Sequence, residues 1–150
     1  DPYIPADVAA DLGVEMVDLD TIYRRSDFIS LHAVLTDETR DMVNAATIAR
    51  MKDGVRIVDA ARGALINEAD LAEGIKSGKV AGAALDVYPT EPPPADDPLI
   101  GLPNVIHTPH LAASTEDAQI VVAVDAAKLV VDALLNGSYA NVVNPDVLKK

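Results

Sequence analysis

The sequence contains no cysteine and no tryptophan, and it has only one phenylalanine and four tyrosines among its 150 residues. Without cysteine the chain can form no disulfide, thiol nucleophile or thiolate metal site, which agrees with a reducing compartment such as the cytoplasm. Because aromatic side chains are so few, alanine, valine, isoleucine and leucine must build the hydrophobic core. Nearly continuous aliphatic runs are typical of strands that are buried on both faces of a sheet.

Basic residues are also scarce, since 12 lysines and arginines stand against 24 aspartates and glutamates, for a formal net charge of -12. This balance argues against binding of nucleic acid or of an anionic membrane surface, because both require basic patches. A small anionic substrate is still compatible with this charge if a local cation holds it. We find no pattern that indicates a metal site, a signal peptide or a membrane span, and we expect a cytoplasmic protein.

Short aliphatic strands alternate with helices along the chain. We predict strands at residues 14–17, 28–31, 55–58, 80–87 and 104–108, and helices at residues 6–12, 19–25, 45–51, 68–76 and 114–136. Asn67 is the expected N-cap of the fourth helix, and Asp70 occupies the capping-box position. Residues 90–103 contain five prolines and cannot form regular structure. This alternation predicts an α/β fold with a mostly parallel sheet.

The last predicted helix is apolar around almost its whole circumference. Asp125, Lys128 and Asp132 share one narrow stripe, and the other residues from 120 to 135 are aliphatic or alanine. A helix of this kind is either buried or packed against another subunit. We favour an interface, and we expect a homodimer or a higher homo-oligomer.

Polar side chains follow four of the predicted strands at their carboxyl ends: His32, Arg62, Asp86 and His110. Ligands of parallel sheets bind outside the carboxyl ends of the strands. A histidine is the usual general acid or base near neutral pH, and a carboxylate such as Glu91 can pair with it and orient its ring. The planar fork of an arginine can hold a substrate carboxylate. Together these residue types indicate an acid/base site with an anion clamp.

Each of these side chains also has a purely structural interpretation. The histidines and the glutamate could be solvated loop residues, the arginine could cap a helix or form a surface ion pair, and the aspartate could hydrogen-bond a turn. For a single histidine or glutamate that interpretation is at least as good, but four strand ends in succession favour a functional one. We interpret His107, inside a strand, as structural, and Asp59 as an acid that bonds nearby backbone amides.

The chain resembles the NAD-dependent D-2-hydroxyacid dehydrogenase family. Five stretches carry the resemblance, in the order of the family: residues 26–32, 54–63, 82–93, 108–111 and 113–115. The resemblance implies a Rossmann-like doubly wound parallel sheet. It also implies hydride transfer between NAD(H) and a small anionic 2-hydroxyacid or 2-oxoacid.

The resemblance further implies a role for individual residues. His110 would exchange a proton with the substrate oxygen, Glu91 would pair with it, and Arg62 would hold the substrate carboxylate and carbonyl. Asp86 would contact the nicotinamide carboxamide. Asp1 would bind the adenosine ribose hydroxyls, which favours NAD over NADP. The remaining positions implied to line the cofactor are His32, Ala33, Ala60, Ala61, Ala112 and Ala113, together with Arg62 and His110.

The glycine-rich dinucleotide fingerprint of such domains is expected about 20 residues before the ribose-binding acid, which here is residue 1. We therefore expect residues 1–140 to form a partial NAD-binding domain with an incomplete Rossmann-like sheet that lacks the first βαβ unit. Residues 141–150 would be a tail that leads back toward a substrate domain outside this sequence. The alternative is a non-catalytic fragment that self-associates.

Overall fold

The computed structural model describes residues 4–148, which divide into two compact units between His110 and Leu111. The helices of the first unit are α1 (Ala6–Asp11), α2 (Leu19–Arg25), α3 (Ala45–Arg50) and α4 (Glu68–Lys76). Its strands are β1 (Phe28–Leu31), β2 (Val55–Asp59), β3 (Val80–Leu85) and β4 (Val105–His107). These elements lie close to their predicted positions.

Polar side chains begin three of these helices. Asp18 caps α2 by accepting a hydrogen bond from the Thr21 amide at 2.7 Å, and Asn44 forms a reciprocal capping box with Thr47 at α3. As predicted, Asn67 caps α4.

The prediction that Asp70 closes the α4 capping box is wrong. Its carboxylate accepts a hydrogen bond from the backbone amide of Ala45 at 2.8 Å, and Ala45 is the first residue of α3. An amide at a helix start has no partner within its own helix, so Asp70 provides one and connects the starts of α3 and α4.

The predicted strand at residues 14–17 is also wrong. The amide of Val14 donates to the carbonyl of Ala9 at 3.0 Å, so this segment begins by bonding the preceding helix. Val14 and Met16 are exposed, and the sheet formed by the described residues contains only β1 to β4. Within the described residues this apolar run pairs with no strand of the sheet, because its first amide bonds the preceding helix instead.

The four strands form one parallel sheet in the order β1-β2-β3-β4. This confirms the predicted parallel α/β sheet. One face of the sheet is buried, with Ile29 and Leu31 on β1 and Val55 and Ile57 on β2. The residues of β2 alternate strictly between buried and exposed, so the expected burial of both faces is not found for this strand among the described residues.

The second unit contains α5, which spans Glu116–Asn136. Thr115 caps its start by accepting from the Ala118 amide at 3.2 Å, and Gly137 ends it with a positive φ of 62°, a conformation that glycine adopts readily. No residue of α5 is buried. A short 3-10 helix, Pro145–Leu148, lies in the predicted tail. None of the helices in the part of the chain that the structure describes could span a lipid bilayer.

Candidate active site

The last residues of the four strands are neighbours across the sheet. Leu31 pairs with Asp59, Asp59 with Leu85, and Leu85 with His107. The residues that directly follow the strands therefore lie in one row at the carboxyl edge of the sheet: His32, Ala60, Asp86 and Thr108. The sequence-based expectation that polar strand ends share one edge is confirmed for His32 and Asp86.

Asp59 shapes the loop that carries Arg62. Its side chain is buried, and Oδ1 accepts from the Ala61 amide at 2.8 Å. Burial raises the pKa of Asp59, while hydrogen bonds from the Ala61 and Arg62 amides and the nearby charge of His32 oppose this rise. The prediction of a turn-forming acid is confirmed. Among the described residues, Oδ2 of Asp59 has no hydrogen-bond partner.

The side chain of Arg62 is exposed, and its Nη1 atom donates to the carbonyl of Ala61 at 2.6 Å. Within residues 4–148 the guanidinium forms no ion pair. The alternative interpretation of Arg62 as one half of a surface ion pair is therefore not supported. The guanidinium retains donors that can bind an anion from outside the unit.

Gly63 brings the Arg62 loop against the turn that follows β3. A Cβ atom at Gly63 would lie 2.0 Å from the carbonyl carbon of Tyr88 and 2.4 Å from the nitrogen of Pro89. Only a glycine permits this approach of two backbones. The close contact fixes the position of Arg62 relative to the turn that carries Glu91.

Glu91 and His110 form the predicted pair. Oε2 of Glu91 lies 2.7 Å from Nδ1 of His110, and Oε1 accepts from the Tyr88 amide at 3.1 Å. The hydrogen bond with His110, followed by that from Tyr88, lowers the pKa of Glu91. An ionised carboxylate only accepts hydrogen bonds, so Nδ1 carries the hydrogen and Nε2 is the ring atom available for proton exchange.

The backbone of His110 has a positive φ of 56°. A non-glycine residue seldom adopts this left-handed conformation, and such residues concentrate at functional sites. The side chain is half exposed, so a small molecule can reach the ring while Glu91 holds it.

The row also contains a residue for which the sequence suggested no role. The hydroxyl of Thr108 donates to Oδ1 of Asp86 at 2.5 Å, and the Asp86 side chain is buried. Thr108 lies within a stretch that carries the family resemblance. The available signal was its position directly after β4 and two residues before His110.

The other predicted residues are less closely connected. His32 is exposed, and its Nε2 lies 2.8 Å from Oγ of Ser30 on its own strand. His107 is structural, as predicted, because its Nδ1 lies 3.0 Å from the Tyr88 hydroxyl and its Nε2 lies 3.3 Å from the carbonyl of Leu99.

The remaining residues predicted to line a cofactor, five alanines and Asp1, fall in three places. Ala33, Ala60 and Ala61 lie just beyond the ends of β1 and β2. Ala112 and Ala113 belong to the second unit, and Asp1 lies outside the described residues. The part of the chain that the structure describes contains no cluster of side chains suited to a metal ion.

A family model described as D-isomer specific 2-hydroxyacid dehydrogenase, NAD binding domain, matches residues 1–112. The chain belongs to this family and corresponds to its NAD-binding domain. The identification agrees with the parallel α/β sheet and with the polar residues at its carboxyl edge.

Relatives of this chain include two named enzymes. The chain is 46% identical over 144 residues to D-3-phosphoglycerate dehydrogenase of Archaeoglobus fulgidus. The aligned region covers 96% of this chain and 27% of that protein. The chain is also 53% identical over 119 residues to hydroxypyruvate reductase of Thermotoga maritima. Here the aligned region covers 78% of this chain and 39% of that protein. The chain thus spans about a quarter to two fifths of the length of these relatives.

Solved structures show the same fold. A glyoxylate reductase from Paecilomyes thermophila superposes with a TM-score of 0.82 at 34% identity, covering 91% of this chain and 40% of that one. D-lactate dehydrogenase from Lactobacillus jensenii, solved with NAD+, superposes with a TM-score of 0.82 at 30% identity, covering 94% of this chain and 46% of that one. These similarities confirm the Rossmann-like fold expected from the sequence.

The residues present suit one end of the NAD molecule. Asp86 offers a carboxylate acceptor at the strand ends, and Ala60 and Ala61 are small enough to leave space beside it. The sequence contains no Gly-x-Gly-x-x-Gly segment, which is the usual cradle of the pyrophosphate. The strand-end residues could hold the nicotinamide end of the cofactor, whose carboxamide carries hydrogen-bond donors.

Proposed function

We propose that this chain supplies the acid/base half of an NAD-dependent D-2-hydroxyacid dehydrogenase. The observation that carries the proposal is the 2.7 Å contact between Nδ1 of His110 and Oε2 of Glu91. A histidine oriented by a carboxylate, with its other nitrogen accessible, is the arrangement that moves a proton to or from a substrate oxygen.

The cofactor would supply the redox chemistry, since the nicotinamide ring gives or accepts the hydride at carbon 2 of the substrate. In the direction of reduction, His110 donates the proton on Nε2 to the carbonyl oxygen of the 2-oxoacid, which becomes the hydroxyl. Glu91 stabilises the imidazolium before this transfer. In the direction of oxidation, the neutral ring accepts the hydroxyl proton at the same atom.

Arg62 would bind the substrate carboxylate and carbonyl. Its guanidinium is exposed and forms no ion pair within the described residues, so it can provide the local cation that an anionic substrate needs on a chain of net charge -12. Gly63 would hold this arginine near the turn of Glu91 through its backbone contact with Tyr88.

The substrate we propose is 3-phosphohydroxypyruvate, with 3-phosphoglycerate as its reduced partner. The relative that covers 96% of the chain, D-3-phosphoglycerate dehydrogenase of Archaeoglobus fulgidus, supports this choice. Reduction of glyoxylate or hydroxypyruvate is the second candidate, which the 53% identity to a hydroxypyruvate reductase favours.

The absence of cysteine supports a cytoplasmic location.

An NADH oxidation assay separates these candidates. A full-length protein that contains this chain is assayed with 3-phosphohydroxypyruvate, hydroxypyruvate and glyoxylate, and we expect the highest kcat/KM with the phosphorylated substrate. A preference for either smaller oxoacid would establish the reductase function instead. Absence of turnover with all three would reject both.

The isolated 150-residue chain would behave differently from the full-length protein. Lacking a Gly-x-Gly-x-x-Gly segment, it should bind NAD weakly or not at all in a calorimetric titration, and micromolar affinity would contradict this expectation. Large aliphatic side chains of α5 such as Leu134 and Leu135 are exposed, so the chain should self-associate. A monomeric mass by sedimentation would argue against self-association.

A further inference from the structure

Thr108 lies where the hydrogen-bond ladder between β3 and β4 continues beyond both strands. Its amide donates to the carbonyl of Leu85 at 3.0 Å, one register step after the pair of Leu85 and His107. This bond places Thr108 beside Asp86. The branched side chain of threonine has few χ1 rotamers, so the backbone position also restricts where its hydroxyl can lie.

Asp86 is held on both sides. Its amide donates to the carbonyl of Asp59 at 2.9 Å, which continues the ladder between β2 and β3, and its Oδ1 accepts from the Thr108 hydroxyl at 2.5 Å. The side chain is buried. A buried carboxylate is held strongly by a hydrogen-bond donor, because the charge of the acceptor strengthens the bond.

Two hydrogen bonds join the turn after β3 to the residues after β4. Residues 86–91 run from Asp86 to Glu91, and residues 108–110 run from Thr108 to His110. The contact between Thr108 and Asp86 closes one end, and the contact between Glu91 and His110 closes the other. The two contacts therefore tie the same two chain segments together, one at each end.

We propose that Thr108 is a positioning residue, whose hydroxyl orients the Asp86 carboxylate toward the nicotinamide carboxamide and keeps it in register with His110. This inference rests on the proposed function. A threonine that only completes the strand ladder would act through its backbone amide, which every substitution except proline retains. The side-chain hydroxyl is therefore the group to test.

The test uses Thr108→Val, which keeps the branched shape without the hydroxyl, and Thr108→Ser, which keeps the hydroxyl. In the full-length protein we expect T108V to raise the KM for NADH about tenfold, since a hydrogen bond to a charged group is lost. The KM for the 2-oxoacid should stay near its wild-type value. T108S should restore the wild-type KM for NADH.

A double-mutant cycle with Asp86→Asn shows whether Thr108 acts through Asp86. The two substitutions should be clearly non-additive in their effect on the KM for NADH, because the hydroxyl has no ionised partner once Asp86 is replaced. Additive effects, or an unchanged KM for NADH in T108V, would overturn the inference. The inference would also be overturned if T108V and Thr108→Ala both failed to fold while T108S folded. That result would assign the hydroxyl a purely structural role.

The wild-type protein separates this inference from the function on which it rests. No turnover of any 2-oxoacid by the wild type would reject the proposed dehydrogenase activity itself. Normal turnover by the wild type together with unchanged T108V kinetics would reject only the role of Thr108.

Discussion

Glu91 divides its two carboxylate oxygens between the imidazole of His110, at 2.7 Å, and the backbone amide of Tyr88, at 3.1 Å. The Tyr88 amide holds the Glu91 carboxylate within the turn after β3, and the carboxylate then holds the imidazole ring of His110. A residue from the loop after β3 thus orients a residue from the loop after β4.

We expect Glu91→Gln to lower kcat about fivefold or more in the full-length protein. The amide can still accept the hydrogen on Nδ1, but a bond to a charged group contributes roughly 1 kcal/mol more than a neutral one. Steady-state kinetics with NADH and the preferred 2-oxoacid measure the change. Glu73→Gln, an exposed acid paired with Lys76 on α4, is the matched control, and equal rates for the two variants would contradict the role of Glu91.

Gly63→Ala should destabilise the fold. The added methyl carbon would lie 2.0 Å from the carbonyl carbon of Tyr88, so the backbone must move, at a cost of about 1–3 kcal/mol. Urea denaturation measures the loss in the free energy of unfolding.

Gly74→Ala is the control for this substitution. Its Cβ would lie 3.1 Å from a side-chain methyl of Val80, which can adjust, and alanine is favoured over glycine within a helix by about 1 kcal/mol. The Gly74 variant should therefore be much less affected than the Gly63 variant. A loss of similar size in both would show that the backbone contact with Tyr88 is unimportant.

The carboxyl group of Glu68 should make stability depend on pH. Burial, the charge of Asp97 and a hydrogen bond with it raise the pKa of Glu68 from 4.5 to about 7. The folded state therefore binds more protons than the unfolded state between these values. The free energy of unfolding should fall as the pH rises through this window and change little above it.

Glu68→Gln retains a hydrogen-bond donor and removes the titrating group, so its unfolding free energy should depend less on pH between about pH 5 and about pH 7. Urea denaturation across this range measures the slope, and Glu73→Gln again serves as the control. Identical slopes for wild type and E68Q would show that Glu68 is ordinarily ionised in the fold. Tyr88, whose own pKa is raised by burial and by Asp97, titrates above this range.

Features that depend on local sequence were predicted well. The ends of α5 follow from Thr115 and Gly137, and the row of polar strand ends follows from aliphatic runs that each stop at a polar residue. Residue chemistry suggests that Glu91 can pair with a histidine, and the family resemblance implies His110 as the partner. The residues between them contain no periodic pattern from which a contact could be derived.

Features that depend on register or on distant segments were not predicted. The bond between Thr108 and Asp86 requires the alignment of β3 with β4, which neither strand specifies alone. The hydrogen bond from the Ala45 amide to Asp70 and the interaction of Glu68 with Asp97 join segments that only the folded chain brings together. In each case a polar residue interacts with a residue that is distant in the sequence, and not with a neighbour along the chain.

The most direct test of the account is the effect of His110→Gln on NADH-dependent reduction of a 2-oxoacid by the full-length protein. Glutamine can keep a hydrogen bond with Glu91 but cannot exchange a proton, so kcat should fall about 10²–10⁴-fold, whereas Lys76→Gln, an exposed substitution on α4, should leave it unchanged. A His110→Gln variant that reduces the 2-oxoacid at the wild-type rate would contradict the assignment of this site.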